Sequence, residues 1–408
     1  MKVLLATPMP PMQEAPGAIP LVLYALLSGL AGRHSITLVT RAGTEPGEWE
    51  ATQSLTALGV KLHLIDRRQL TRTERWNRRW RLGSAWLKGR WPWRTVWFWD
   101  PQVQKTLDRL LQEQKFDLVA VEDNAMGAYR FRTQAPKIFT EHEVRRPRPL
   151  NWHSLSDKSF SRRLLGELDW QRWRGYQQQV WQAFDRIQVF TARDSEAIAR
   201  LAPDIAGWVR VNPFGIVLPP QADARRAIPG RVVFTGNFTH LPNVDAALWL
   251  GKEILPMVHQ LSPGVQLFLI GVYPPKEVRD LDSEDIRVTG PVESIHPYLE
   301  EAAVVAAPVR TGGGMRMKVL YAMAMGKAVV TTPRGAEGLA VEGETPPLCV
   351  AKDAGEFAAI TASLLASPAK RSELGEQARR YVERHFSDKA YASRTEANWL
   401  ELVEERRG

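Results

Sequence analysis

Three consecutive glycines, Gly312, Gly313 and Gly314, stand between an apolar run of strand length, Ala302 to Val309, and a stretch of good helix formers, Met315 to Met325. Glycine lets the backbone turn tightly and come close to a ligand. Gly326 follows in the usual position for a helix end, and Lys327–Thr332 is a second strand-like run. A helix that opens on glycines presents N–H groups and a positive dipole end, which suits an anion. Arg316 and Lys318 in the first turn, with Arg310 just ahead of the loop, add full charges. Residues of these types in this order make a diphosphate site. The bland alternative is a strand–loop–helix corner with solvated basic residues.

Other strand ends carry polar groups. Val232-Val-Phe-Thr-Gly-Asn-Phe-Thr-His-Leu-Pro-Asn243 runs from a strand into a loop, where Gly236 permits close backbone approach and Asn237 and His240 supply polar atoms. Leu269-Ile-Gly-Val-Tyr273 and Val288-Thr-Gly-Pro-Val-Glu293 have the same form. Lys137-Ile-Phe-Thr-Glu-His-Glu143 brings His142, Glu141 and Glu143 to a strand end, and a surface polar cluster is the alternative there. In Thr191-Ala-Arg-Asp-Ser-Glu196, Asp194 reads as a helix N-cap.

These groups need a scaffold, and the rhythm of the chain describes one. Short apolar strands alternate with helical stretches from Lys2 to Val211: strands near Lys2–Thr7, Ser35–Thr40, Val60–Ile65, Phe116–Val121, Lys137–Thr140, Arg186–Thr191 and Val209–Val211, with a long helix from about Ser156 to Phe184. Residues 212–230 are rich in breakers and read as a linker. The rhythm then restarts at Arg231–Thr235, continues with a helix over 243–260, and runs to strands at Val265–Ile270, Ile286–Val288, Ala302–Val309 and Lys327–Thr332. Helices near 353–366, 368–385 and 387–406 close the chain. The expected fold class is α/β: two doubly wound Rossmann-like domains facing a cleft, 1–211 and 231–386, with ligands at the carboxyl ends of the strands. A length of 408 residues accommodates this. Cys349, the only cysteine, excludes an intrachain disulfide and lies in apolar surroundings, so it is expected as a buried structural thiol.

Gly-Gly-Gly-Met-Arg-Met-Lys-Val-Leu-Tyr-Ala-Met-Ala-Met-Gly-Lys-Ala-Val-Val, followed by Gly335-Ala-Glu-Gly-Leu339, resembles the donor-site motif of the retaining family 4 glycosyltransferases of GT-B fold. The resemblance implies a nucleoside diphosphate sugar as donor, bound by Gly236, Asn237, His240, Arg310, Gly312, Gly313, Gly314 and Met315. It also implies a nucleotide base cradled by the main chain of Gly290, Pro291 and Val292. Arg316 and Lys318 would neutralise the leaving diphosphate, and no metal or other cofactor would be required. The family places two glutamates eight residues apart, and those positions here are Gly313 and Tyr321. A phenol cannot accept both ribose hydroxyls as a carboxylate does, so the ribose contact falls to Tyr321 or to Glu337 in the next loop. Pro16-Gly-Ala-Ile19 resembles the loop that meets sugar and acceptor, making Gly17 and Ala18 candidates beside Glu141. His142 matches the position that faces the transferred sugar. A last helix of about 387–408 would cross back to the first domain.

Transfer of a sugar to an acceptor hydroxyl, on a lipid-linked or cell-surface glycan, is the reading this supports. A nucleotide-sugar hydrolase or epimerase on the same fold, and a non-catalytic binding protein with Tyr321 in place of the ribose-binding Glu, are the alternatives.

Net charge is +9 and uneven: residues 67–99 hold ten Arg or Lys against one acid, Glu74, together with seven of the fifteen tryptophans. Arg67 to Trp99 therefore suits an anionic membrane surface, with single-stranded nucleic acid the weaker reading and an inward-packed insertion the bland one. No apolar run approaches the roughly 18 residues that span a bilayer. Met1-Lys-Val-Leu-Leu-Ala-Thr-Pro8 is broken by prolines too soon for a secretory leader and is expected as a first buried strand. The expected location is cytoplasmic, with peripheral membrane association.

Overall fold

The computed structural model describes residues 1–15, 17–43, 47–67, 73, 76, 80, 83–84, 86–89, 91–145, 160–341 and 343–407, with side chains of the helix Phe160–Gln182 described from residue 166 onward. The chain divides into two compact units. Met1–Gln13, Leu26–Asn212 and Ala392–Gly408 make the first, and Glu14–Ala25 with Pro213–Tyr391 make the second.

The first unit is built on a seven-stranded sheet: β1 (Lys2–Ala6), β2 (Ser35–Ala42), β3 (Lys61–Asp66), β4 (Leu118–Glu122), β5 (Lys137–Glu141), β6 (Arg186–Val189) and β7 (Val209–Val211), in the order β3-β2-β1-β4-β5-β6-β7. Neighbouring strands are parallel. Val3, Leu4, Leu5 and Ala6 are all fully buried, as are all five positions of β4 to within a percent, four of them apolar. Such unbroken apolar runs are what a parallel strand covered on both faces requires. One core cluster joins Leu4, Val121, Phe139 and Ile187 of the strands to Val103, Leu107, Trp181 and Ile198 of the flanking helices.

The chain returns to this unit at its end. The helix Asp388–Glu405 encloses Arg186, whose guanidinium is 2% exposed and donates to Asn398 O and Oδ1 at 3.0 and 2.9 Å and to Glu405 at 2.7 Å. Asn212 donates to Gln188 and to Thr395 of the same helix, and His34 meets Glu396 at 2.8 Å. A buried guanidinium left without these partners would cost several kcal/mol, so the charge fixes the helix in register.

In the second unit β8 (Arg231–Thr235), β9 (Gln266–Ile270), β10 (Ile286–Gly290), β11 (Val304–Ala307), β12 (Val329–Thr331) and β13 (Cys349–Val350) form a parallel sheet in the order β10-β9-β8-β11-β12-β13. Both sheets thus reverse their strand order beside their first strand, the place where doubly wound folds bind ligands. The helix expected over 243–260 is Leu241–Trp249 and Leu255–Leu261, joined through a π turn at Leu250–Ile254. The closing helices are Ala354–Ala366, Pro368–His385 and Asp388–Glu405.

Two local expectations need correction. Thr191, not Asp194, is the N-cap of Ala192–Leu201: its hydroxyl accepts from Asp194 N at 3.1 Å and donates to Asp194 Oδ2 at 2.7 Å, so the pair satisfies the helix start reciprocally. Cys349 lies near the sheet edge and is only partly buried, although burial still pushes its thiol up.

Candidate functional site

The glycine loop is followed by a helix as expected, but the helix expected over Met315–Met325 is Met317–Ala324, with Arg316 at its N-cap and Gly326 in the left-handed region just beyond. Gly312 and Gly314 also have positive φ, 94° and 70°. Arg316 folds its guanidinium back into the loop and donates to Gly313 O at 2.9 Å and Thr311 O at 3.3 Å. The same cation that would meet an anion therefore also holds the loop's shape. Met315 is buried under it.

A second loop lies alongside. After β8, Asn237 Oδ1 accepts from the Thr239 amide and hydroxyl, and Asn237 O accepts from Asn243 Nδ2 at 2.6 Å, closing a tight turn that ends at the exposed His240. Asn243 Oδ1 in turn accepts from Lys318 Nζ at 2.7 Å. That ammonium also sits 4.2 Å over the Phe234 ring, and a side chain added at Gly236 would meet it at 3.2 Å. Gly236 is glycine because Asn243 and Lys318 occupy its space. Burial first, and Arg316 second, lower Lys318 to about 7. Gly312 faces Pro242, and Arg310 pairs with Asp245 at 2.6 Å while lying 4.4 Å over Trp249. Arg310 was expected to serve the anion; its guanidinium is turned instead to the helix Leu241–Trp249.

A third loop completes the rim. Gly236 N donates to Ile270 O, Phe238 N to Val272 O, and Gly271 N to Gly290 O at 3.3 Å. Gly290 has φ 68° and ends β10 at a register shift, which releases Pro291 and Val292 from the ladder. Tyr321 is half-buried and meets the His296 ring edge to face at 6.3 Å. Burial, then the Glu14 carboxylate, raises its phenol. Glu337 is held by Arg334 at 2.7 Å. Gly17 and Ala18 open the helix Ala18–Leu30 and are exposed, with nothing within 4 Å of the place a Gly17 side chain would take.

On the first unit, His142 follows β5 and its Nε2 lies 2.8 Å from Glu122 Oε2, with Phe190 perpendicular to the ring at 5.0 Å. Glu122 ends β4 and also accepts from Thr140 Oγ1 at 2.9 Å. Asp123 next to it has φ 72°, an unusual backbone for a non-glycine residue. Burial opposes its ionisation, but Arg94 and then His142 hold its carboxyl below the usual range. Glu141 is not presented to a ligand: it is fully buried, accepts from Trp181 Nε1 at 3.0 Å and from Asn124, and burial pushes its carboxyl well up.

Sequence reasoning therefore missed Asn243 and Phe234 as the groups that hold Lys318, and Glu122 as the partner of His142. Asn243 closed the quoted loop motif, and Glu122 ends the strand paired in register with Thr140, two residues before His142. Among the described residues no group of His, Cys, Asp or Glu is placed to hold a metal ion.

Residues 229–367 match the family model described as glycosyl transferases group 1. No curated protein matches the sequence. Solved structures share the fold over nearly the whole chain. HepE of Anabaena in complex with UDP and glucose is 14% identical with a TM-score of 0.65, covering 98% of this chain and 100% of its own. Sucrose-phosphate synthase of Thermosynechococcus elongatus is 17% identical at 0.65, covering 99% of each. Trehalose-6-phosphate synthase OtsA is 9% identical at 0.66, covering 98% and 99%. The two parallel-sheet units are those of the GT-B fold.

Proposed function

We propose that this chain, whose residues 229–367 match the family model described as glycosyl transferases group 1, transfers a sugar from a nucleoside diphosphate sugar to an acceptor hydroxyl, with retention and without a metal. The observation that carries the reading is the pairing of Lys318 with Asn243 and of Arg316 with the loop carbonyls, which sets two cations beside a glycine loop and a helix start. The Lys318 partner is an uncharged amide oxygen, so the hydrogen bond orients the ammonium without neutralising it. The similarity of fold to structures that hold UDP supports the same class of donor.

In this mechanism the diphosphate lies against Gly312–Gly314 and the start of the helix. Charge grows on the leaving phosphate as the glycosidic C–O bond breaks, and Arg316 and Lys318 stabilise it. The acceptor oxygen bonds to the anomeric carbon from the face the leaving group departs, and its proton passes to the departing phosphate. His142 is assigned to the sugar hydroxyls, and Tyr321 to the ribose through a single hydrogen bond. Gly290, Pro291 and Val292 receive the base.

Thermal unfolding with a panel of nucleoside diphosphates and their sugars, for wild type and Arg316→Ala, tests this. Saturation a hundredfold above Kd adds about 2.7 kcal/mol to stability, readily seen as a rise in Tm. A rise with one nucleotide, lost in Arg316→Ala, is the expected result, and no rise with any of them defeats the reading. Tyr321 favours a second reading, a nucleotide-sugar-binding protein without turnover. A rise in Tm without donor consumption in the presence of candidate acceptors would select it.

A further inference from the structure

Seven tryptophans fall between Arg67 and Trp99, and the first unit treats them in two ways. Trp86, Trp91 and Trp99 are held inward. Trp86 Nε1 donates to Asp169 at 3.3 Å and Arg172 lies 4.1 Å over its ring, while Trp91 and Trp99 pack on the core. Trp76, Trp80, Trp93 and Trp97 stand in solvent with 61, 65, 48 and 45% of their surface exposed, and Leu87 joins them at 75%. Elsewhere among the described residues only Trp208 is exposed to that degree.

The exposed set has order. Thr73, Trp76, Trp80, Gly83, Ser84, Trp86 and Leu87 are helical, and at helical spacing Trp76, Trp80 and Leu87 fall within about 40° of one another. The Trp76 and Trp80 rings meet edge to face at 5.7 Å. Trp93 and Trp97 repeat the spacing of four on the helix Trp93–Phe98. A monomeric protein seldom leaves such a stripe open without a use for it.

We infer that this stripe docks on an anionic lipid surface. Indole is apolar with one N–H, and it settles at the boundary between headgroups and acyl chains. Leu87 adds aliphatic contact below that level. The ten basic residues of 67–99, against Glu74 alone, supply attraction to the phosphates; of these Arg68, Arg72, Arg75, Arg78, Arg79, Arg81 and Arg90 lie outside the described residues, and Arg94 also meets Asp123 at 3.3 Å. Nucleic acid is the poorer fit. Bases stack on open ring faces, whereas in the Trp76–Trp80 pair the edge of one ring covers a face of the other, and a leucine in the stripe has no partner on a phosphate backbone. Among the described residues no helix is long and apolar enough to cross a membrane, so the contact is peripheral.

The test is sedimentation of the full chain with vesicles of phosphatidylcholine containing one-third phosphatidylglycerol, against phosphatidylcholine alone, with tryptophan emission read in parallel. The expected result is binding to the anionic vesicles only, a blue shift of emission, and release by high salt. Trp76→Ser combined with Trp80→Ser should lower vesicle affinity by about tenfold or more, while Trp208→Ser leaves it unchanged. Should the double variant unfold, Leu87→Asp decides, since so exposed a side chain carries little packing. Wild type that ignores anionic vesicles, or variants that bind as wild type does, would overturn the inference. So would a single-stranded oligonucleotide that displaces the vesicles and quenches the same tryptophans.

Discussion

Lys318 Nζ donates to Asn243 Oδ1 at 2.7 Å, across seventy-five residues of chain. The partner is an amide carbonyl and carries no charge, so it orients the ammonium without neutralising it. Burial first, and Arg316 beside it second, favour the neutral amine and lower its pKa to about 7, against the Phe234 ring face, which suits the ammonium. A position that only needed to be stable would hold an apolar residue there. The cost is tolerable because a bound diphosphate would supply the missing counter-charge.

Lys318→Met follows directly. The folded chain disfavours the protonated lysine that the unfolded chain accepts at its ordinary 10.5. The unfolded state therefore binds more protons between about 7 and 10.5, and wild-type stability rises with pH across that window. At neutral pH, Lys318→Met should stabilise the ligand-free protein by about 1–3 kcal/mol, less than the full shift because partial exposure lets water relax the site. The same variant should lose the nucleotide-dependent rise in Tm. Denaturant unfolding with and without nucleotide reads both, and a variant less stable than wild type in the free state would show that the ammonium is well accommodated.

Nucleotide binding should itself depend on pH. A diphosphate favours charged Lys318 and raises its pKa in the complex, so binding takes up a fraction of a proton near pH 7 and affinity falls as pH rises from 7 toward 9. The limiting slope is about tenfold per pH unit for one proton. Calorimetry in buffers of different ionisation enthalpy measures the uptake. Asn243→Asp provides the control, since a carboxylate at 2.7 Å would restore the ordinary lysine range and flatten the dependence. Equal affinity at pH 7 and 9 for wild type would exclude Lys318 from the phosphate site.

Much of this site could be read from sequence because glycines, helix formers and cations follow one another within 308–326, and local order survives folding. What could not be read came from strands that are neighbours in space only. Asn243 and Phe234 reach Lys318 because β8 lies beside β11, and Glu122 reaches His142 because β4 lies beside β5. Arg310 shows the converse. Its place before the loop suggested a ligand contact, but Asp245, one turn into the next helix, competes for the guanidinium and wins it with two hydrogen bonds. Glu141 fails for a similar reason, since alternation along β5 points it inward to Trp181. The strand rhythm itself transferred well to the structure, as continuous apolar runs have few other uses in a chain of this composition.

Gly271 tests how firmly the loops are locked. Its φ is 156°, and a Cβ there would lie 1.7 Å from Gly236 O, a backbone atom that cannot swing aside. Gly271→Ala must push the loop after β8 away from β9, breaking the Gly236 N to Ile270 O bond on which the turn toward Asn243 rests. The expected loss is about 2–4 kcal/mol of stability, with nucleotide binding weakened in whatever remains folded. A variant as stable as wild type would mean that the loop has a second conformation within easy reach.

Glu122 is the remaining group whose role is specific enough to test. A carboxylate that is ionised accepts only, and in that state the 2.8 Å contact would place a proton on His142 Nε2, while the second Glu122 oxygen is fixed by Thr140 Oγ1. The imidazole is thereby held in one orientation, with Phe190 against its face. Glu122→Gln keeps the shape but can turn an N–H toward Nε2, moving the ring proton to Nδ1 and reversing what the outer nitrogen offers a hydroxyl. If His142 holds the sugar, turnover in Glu122→Gln should fall about tenfold to a hundredfold, while the rise in Tm with nucleoside diphosphate, which depends on the second unit, stays at the wild-type value. Loss of both would indicate a folding defect, and Tm without ligand separates that case. Full turnover in Glu122→Gln would mean that His142 contributes nothing by its orientation, and the contact with sugar and acceptor would have to be sought at Gly17 and Ala18.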